Sequence, residues 1–225
     1  MVCRLYLVRH GETVWNARLK FQGHSDIALS PRGVEQAEAL SRRLMGERFH
    51  AVYASDLQRA VETARILAAP HGLEVRQVPA LREIHFGAWE GLTVNEIRAR
   101  YASEIQKWWD GPLNTRIPGG ETLAEVVERV TRTVQELVEK HAGEQILVVS
   151  HGGAIRSLIG TVLGIDLNQY WRLRLENACL NILEFPTWER GILCLFNDCS
   201  HLSRPEQAGC PSPSPGSGEG KKPAP

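Results

Sequence analysis

The chain has 225 residues, enough for one domain with a sizeable core, and its 43% hydrophobic content is ordinary for a soluble globular protein. Its 26 basic and 26 acidic residues cancel, which argues against a nucleic-acid binder held by bulk charge and leaves room for a local basic pocket. No apolar run is long enough to span a membrane and the amino terminus lacks a signal-peptide layout, so a cytoplasmic protein is expected.

Residues 3–8 are short, apolar and rich in β-formers, and read as a buried strand that ends at Arg9-His10-Gly11-Glu12. Ser30-Pro31 pairs an N-cap with a proline at the first helical position, and Val34, Ala37, Leu40 and Leu44 then recur at helical spacing. Ala51–Ala54 reads as a second strand, giving way at Ser55-Asp56 to a helix that runs to about Ala69, with Pro70 beyond it. Thr93 with Glu96 and Thr122 with Glu125 both fit a capping box, so a helix should begin at each. The second of these carries Leu123, Val126, Val130, Val134 and Leu137 on one face and closes near Gly143.

Residues 146–149 form a third, β-branched strand, broken by Ser150-His151-Gly152-Gly153, and a helix follows to about Gly164. Residues 178–185 and 191–196 look like two final strands. This alternation predicts an α/β three-layer sandwich, a mainly parallel sheet with helices on both faces. From residue 204 the composition collapses to Pro, Ser, Gly and Lys, so the domain should span 1–203 and 204–225 should be a disordered tail. The five cysteines, Cys3, Cys179, Cys194, Cys199 and Cys210, are odd in number and lack a Cys-x-x-Cys pair, so neither a disulfide framework nor a zinc site with Cys194, Cys199 and His201 is expected.

In an open α/β sheet, ligands bind beyond the carboxyl ends of the strands. Arg9 and His10 follow the first strand, Ser55, Asp56 and Arg59 the second, and Ser150, His151, Gly152 and Gly153 the third. Two imidazoles and two guanidiniums make a poor core and a poor metal site, but they suit a phosphoryl group, whose oxygens a guanidinium binds bidentately. Histidine is also a competent nucleophile. Gly152 and Gly153 open a helix whose N–H groups could face an anion. A leaving alkoxide needs a proton, for which Glu83, Asp56, Glu12 and Glu90 are all candidates that spacing does not separate.

The segments Leu7-Val8-Arg9-His10-Gly11-Glu12-Thr13 with Trp15-Asn16, Ser55-Asp56-Leu57-Gln58-Arg59-Ala60 with Thr63, Leu81-Arg82-Glu83 with Gly87-Ala88-Trp89-Glu90-Gly91, and Val149-Ser150-His151-Gly152-Gly153 together resemble the histidine phosphatase superfamily, in its phosphoglycerate mutase-like branch. The resemblance covers about residues 3–200. It implies that His10 is the phosphorylated nucleophile, and that Arg9, Arg59 and His151 clamp the phosphoryl oxygens with help from Asn16, to which the helix-start N–H of Gly152 would add. It also implies that Glu83 is the general acid and later the base, that Gln22 and Gly23 line the pocket mouth, and that no metal or organic cofactor takes part.

That branch holds bisphosphoglycerate-dependent mutases as well as phosphatases. The stretch from Arg98 to Glu121 has only Arg98, Arg100, Lys107 and Arg116 as cations, and Pro118-Gly119-Gly120-Glu121-Thr122 looks more like the phosphatases, including broad-specificity and α-ribazole phosphatases. The expected function is therefore hydrolysis of small phosphate monoesters, with Arg116 available for a substrate carboxylate. A mutase and a non-catalytic phospho-ligand binder are the alternatives. No nucleic-acid or membrane partner is expected, and the terminal strands could pair across a homodimer. Trp89, Trp108 and Trp109 read as packing, and His24, His50, His71, His85 and His141 as surface or structural residues.

Overall fold

The computed structural model describes residues 1–202. Strand β1 (Cys3–Arg9) lies inside a six-stranded sheet, and its Leu5, Tyr6, Leu7 and Val8 are buried because both faces of the strand are covered. The chain continues through α1 (Val14–Ala17), α2 (Pro31–Leu44), β2 (Ala51–Ala54), α3 (Gln58–Ala68), β3 (Val75–Gln77), α4 (Val94–Arg100), α5 (Ala102–Asp110), α6 (Leu123–Lys140), β4 (Gln145–Ser150), α7 (Gly152–Val162), β5 (Leu180–Phe185) and β6 (Ile192–Asp198). Sheet order is β3-β2-β4-β1-β5-β6. The first four in that order are parallel, and β5 and β6 add an antiparallel edge.

The alternation along β1 sorts the core into two layers. Leu5 and Leu7 pack with Val126, Val130 and Val134 of α6 and Leu158 of α7 on one face. Tyr6 and Val8 pack with Leu40 and Leu44 of α2 and Ala60, Ala64 and Leu67 of α3 on the other. The expected sandwich of a mainly parallel sheet between helices is therefore the observed one. The helix starts follow from local chemistry. Ser30 Oγ accepts from the Gly33 N–H at 3.1 Å ahead of Pro31. Glu96 and Glu125 reach back to the N–H groups of Thr93 and Thr122 at 2.7 and 2.8 Å, completing both capping boxes.

Several boundaries differ from those expected. Helix α3 starts at Gln58 rather than at Ser55, and Pro70 sits inside a 3₁₀ turn, Ala69–His71, that prolongs it. Strand β3 was not expected: its three residues, Val75, Arg76 and Gln77, include no buried side chain to betray it. Helix α5 was not expected either; it buries only Ile105 and Trp108. The expected tail, residues 204–225, and Cys210 lie outside the described residues. Among the described residues, no helix is long and apolar enough to cross a membrane.

Candidate active site

Adjacent parallel strands deliver the two histidines together. Arg9 of β1 is in register with Ser150 of β4, so His10 and His151 leave the sheet side by side. The His10 N–H donates to the Ser150 carbonyl at 3.0 Å, and the two imidazole centroids lie 5.1 Å apart. His10 opens into a pocket of about 170 Å³ whose lining also includes Arg9, Asn16, Gln22, Gly23, Arg59, Glu83 and Gly152, while His151 is fully buried beside it. Residues far apart in the sequence thus meet where the sheet topology predicts.

His10 is 3% exposed, and its Nδ1 lies 2.7 Å from the Gly11 carbonyl oxygen. A carbonyl only accepts, so Nδ1 carries the hydrogen and the Nε2 lone pair is left for chemistry. Burial, then the charges of Arg59 and Arg9, hold the His10 imidazole well below its ordinary value of 6.5. The ring is therefore neutral at neutral pH. The backbone around it is pinned: the Gly11 N–H donates to Thr63 Oγ1 at 3.1 Å, and Asn177 Nδ2 donates to the His10 carbonyl at 3.2 Å.

Arg59 is fully buried, not the surface charge that its helical setting would otherwise allow. Its Nη1 donates to the Ser25 carbonyl at 2.8 Å and its Nη2 to the Gly23 carbonyl at 2.7 Å. Burial lowers its pKa to about 10, which still leaves it charged at neutral pH. Gly23 is required here, because its φ is +53° and a Cβ would lie 2.1 Å from Glu90 Oε1. Glu90 in turn accepts the N–H groups of His24 and Ser25, both at 2.9 Å, and so holds the loop that holds Arg59.

Arg9 is anchored from Nη1 to the Leu175 carbonyl at 2.6 Å. Asn16 Oδ1 accepts from the Thr13 N–H at 3.1 Å, and Gln22 Oε1 accepts from Thr13 Oγ1 at 2.9 Å. The buried Nε atoms of Arg9 and Arg59 and both ring nitrogens of the fully buried His151 have no partner among the described residues. Burial and the charge of Arg59 hold His151 well below 6.5 as well. Buried polar atoms without partners are costly unless a ligand satisfies them. Donors converging beside a free imidazole nitrogen suit a multiply charged oxyanion.

Glu83 lies at the amino end of α7. Its Oε2 accepts from the Gly153 N–H at 3.0 Å, and its Oε1 accepts from the N–H groups of Ala154 at 3.2 Å and Ile84 at 2.9 Å. Of the two N–H groups expected to face a ligand, those of Gly152 and Gly153, the one of Gly153 is thus taken by this carboxylate. A Cβ on Gly153 would lie 2.4 Å from Glu83 Oε1, so only glycine admits the carboxylate so closely. The rival carboxylates are otherwise engaged. Asp56 is bound by Arg82 through both oxygens at 2.7 and 2.6 Å, and neither Asp56 nor Glu90 lines the pocket. Glu12 lines it, but its Oε1 accepts from Ser30 Oγ at 2.9 Å.

Arg116 does not join this group. It lies on the surface, away from the pocket lining, with Nη2 on Glu125 Oε1 at 2.6 Å and Nη1 on the Gly120 carbonyl at 2.9 Å. The capping box of α6 places Glu125 there, and Glu125 takes the guanidinium. Trp108 and Trp109 pack as expected but also line the pocket, with Phe21, Phe86, Tyr170 and Trp171. Arg156 was missed, although its place one helical turn after Gly152 signals the same face; its Nε donates to the Leu173 carbonyl at 2.7 Å.

Comparison with known proteins gives a consistent result. Residues 5–198 match the histidine phosphatase superfamily (branch 1). Phosphoserine phosphatase 1 of Hydrogenobacter thermophilus is 33% identical over 199 residues, 88% of this chain and 94% of that protein. A probable phosphoglycerate mutase, GpmB, of Photorhabdus laumondii is 36% identical over 210 residues, 90% of this chain and 96% of that protein. The crystal structure of a putative α-ribazole-5′-P phosphatase from Escherichia coli superposes with a TM-score of 0.80 at 31% identity, covering 88% of this chain and 97% of that one. The strand-end histidines and the likeness over nearly the whole described chain thus lead to one assignment: the protein belongs to the histidine phosphatase superfamily, branch 1, and is a phosphatase.

Proposed function

We propose that the protein is a metal-independent phosphomonoesterase that hydrolyses small phosphate monoesters through a phosphohistidine on His10. The observation that carries this reading is the free Nε2 of His10, set among buried nitrogens of Arg9, Arg59 and His151 that have no partner among the described residues. A phosphate monoester dianion would supply those partners. Arg9, Arg59, His151 and Asn16 hold its non-bridging oxygens, and their preorganised charge stabilises the transferring group.

His10 Nε2 attacks phosphorus as the bond to the leaving oxygen breaks. The imidazole becomes cationic while the Gly11 carbonyl keeps its Nδ1–H, which favours the charged ring. Glu83, protonated, gives its proton to the leaving oxygen, and the alcohol departs. As carboxylate, Glu83 then takes a proton from the water that attacks phosphorus, and the broken N–P bond returns neutral His10 and inorganic phosphate. The N–H groups of Gly153, Ala154 and Ile84 keep the carboxylate in place for both steps. We assign this activity to residues 1–203 of a cytoplasmic protein, a compartment that suits the free thiols of Cys3, Cys179, Cys194 and Cys199.

Hydrolysis is favoured over mutase chemistry because none of the four cations between Arg98 and Glu121, namely Arg98, Arg100, Lys107 and Arg116, lines the pocket. The test is phosphate release, with chelator present, from 3-phosphoglycerate, phosphoserine and α-ribazole phosphate by wild type and His10→Ala. Wild type is expected to release phosphate and to carry an acid-labile phosphoryl group, and His10→Ala to do neither. Isomerisation of 3-phosphoglycerate on adding bisphosphoglycerate, without release, would replace this reading with the mutase. Binding of phosphate without turnover would replace it with a phospho-ligand binder.

A further inference from the structure

Arg129 of α6 divides its hydrogen bonds between the segment that carries Glu83 and the Glu121 carboxylate. Nη1 donates to the Ala80 carbonyl at 2.9 Å and the Arg82 carbonyl at 2.7 Å. Nη2 donates to the Glu83 carbonyl at 2.8 Å and to Glu121 Oε2 at 2.9 Å, and Nε donates to Glu121 Oε1 at 3.0 Å. A guanidinium has five N–H bonds, and these five contacts use each of them. Three carbonyls from four consecutive residues are thereby turned towards one side chain.

Glu121 completes the arrangement. Its Oε2 also accepts the His85 N–H at 2.9 Å, and its own N–H donates to the His85 carbonyl at 3.0 Å, so the residues on both sides of Glu83 are tied to the same pair. Burial pushes the Glu121 carboxyl up, but the bonds from Arg129 and the His85 N–H hold it below its ordinary value of 4.5. His24 Nε2 also lies 3.0 Å from the Glu83 carbonyl oxygen. The Glu83 main chain is therefore fixed by α6 while its carboxylate is fixed by the first turn of α7. Neither Arg129 nor Glu121 lines the pocket, so neither is placed to touch substrate.

We infer that Arg129, paired with Glu121, is a positioning residue for proton transfer: it sets the reach of Glu83 to the leaving oxygen and acts on the reaction only through Glu83. This rests on the reading of Glu83 as the proton donor. A displacement of about 1 Å can cost on the order of 100-fold in rate, so the effect is measurable without any loss of binding.

The experiment compares kcat/KM, which reports the step that phosphorylates His10, for an alkyl monoester and for 4-nitrophenyl phosphate, whose leaving group needs no proton. Wild type, Glu83→Gln, Arg129→Met and the double variant are assayed, with the inhibition constant of inorganic phosphate as a control. Arg129→Met is expected to lose roughly 10- to 100-fold on the alkyl ester and under about threefold on the nitrophenyl ester, with phosphate inhibition nearly unchanged. In the Glu83→Gln background the same change should cost almost nothing, because residues that act as a unit are not additive.

Equal losses on both esters, or losses that multiply in the double variant, would make Arg129 a general structural support and overturn the inference. If Glu83→Gln itself lost equally on both esters, the proton-donor reading would fall, and the inference with it. Should Arg129→Met not fold, Glu121→Gln carries the same test, since it removes the charge that holds the guanidinium and keeps the shape of the side chain.

Discussion

The pocket has two unlike walls. One is made of strand ends and of the helix starts that follow them: Arg9 and His10 after β1, Arg59 near the start of α3, and Gly152 and Gly153 after β4, with His151 buried beside His10. His10, Arg59 and His151 are between 0% and 3% exposed, and the register of β1 with β4 sets His10 beside His151. The other wall is made of Phe21, Phe86, Trp108, Trp109, Tyr170 and Trp171, carried by a loop, α5 and 3₁₀ turns outside the sheet. Trp109 and Trp171 there are only half-buried. The first wall supplies charge at fixed positions, and the second supplies shape. Chemistry that tolerates little displacement is best held by rigid elements, whereas a leaving-group compartment can rest on loops.

The sharpest way to break this division is Arg59→Leu. The change removes a buried charge from the first wall and leaves the carbonyls of Gly23 and Ser25 without their donor. Loss of one preorganised donor typically costs on the order of 10²–10³ in rate. The expected outcome is a fall in kcat/KM of about that size for every ester, together with a lower melting temperature from the unpaired carbonyls, at about 1–3 kcal/mol each where buried. A fall of less than about tenfold would mean that the charge of the site lies elsewhere.

The second way is pH. His10 and His151 are both held well below 6.5, chiefly by burial and then by Arg59. Below 6.5 the unfolded chain binds protons that the folded chain does not, so stability is fully present above that pH and is lost as pH falls towards the folded values. Each imidazole that stays neutral in the fold adds to that loss. Denaturation midpoints should therefore drop between about pH 6.5 and 5.5, and His151→Asn should flatten part of the drop. In activity, the acid limb of kcat/KM should lie below 6.5, since His10 attacks as the neutral ring. An acid limb centred at or above 6.5 would contradict the buried, cation-flanked setting of His10.

The two walls are also unequally legible in the sequence. The first can be read from the residues alone, because a buried strand followed by Arg-His-Gly or Ser-His-Gly-Gly puts its polar residues at a sheet end, and parallel strands bring the ends together. The choice of Glu83 among four carboxylates comes from family resemblance and not from spacing. The structure gives the physical difference: Asp56, Glu90 and Glu12 are bound to Arg82, to the loop of residues 22–25 and to Ser30, respectively. Arg116 misleads because a charge count does not show that a capping glutamate one turn into α6 will claim the guanidinium. Arg129 is invisible for the opposite reason. Set between Glu128 and Arg132 on an amphipathic helix, it reads as one more solvated charge, and only the packing of α6 against the Glu83 segment turns it inward.

The smallest expected effect belongs to the second wall. Trp109 stacks one face under the Arg98 guanidinium at 4.6 Å while its side chain lines the pocket. The cation that holds its ring is thus one from α4 and not one from the charged wall, so Trp109 can contribute binding area without taking part in bond breaking. A contact made equally with bound substrate and with the transition state changes KM and leaves kcat alone. Trp109→Ala should therefore raise KM by roughly three- to tenfold for esters with a bulky leaving group, with kcat within about twofold and little change for the smallest esters. Steady-state kinetics on a series of alkyl phosphates of increasing size and similar leaving-group acidity checks this. If kcat fell instead, and fell equally along the series, the aromatic wall would be setting the geometry of the charged one, and the division of labour between the walls would fail.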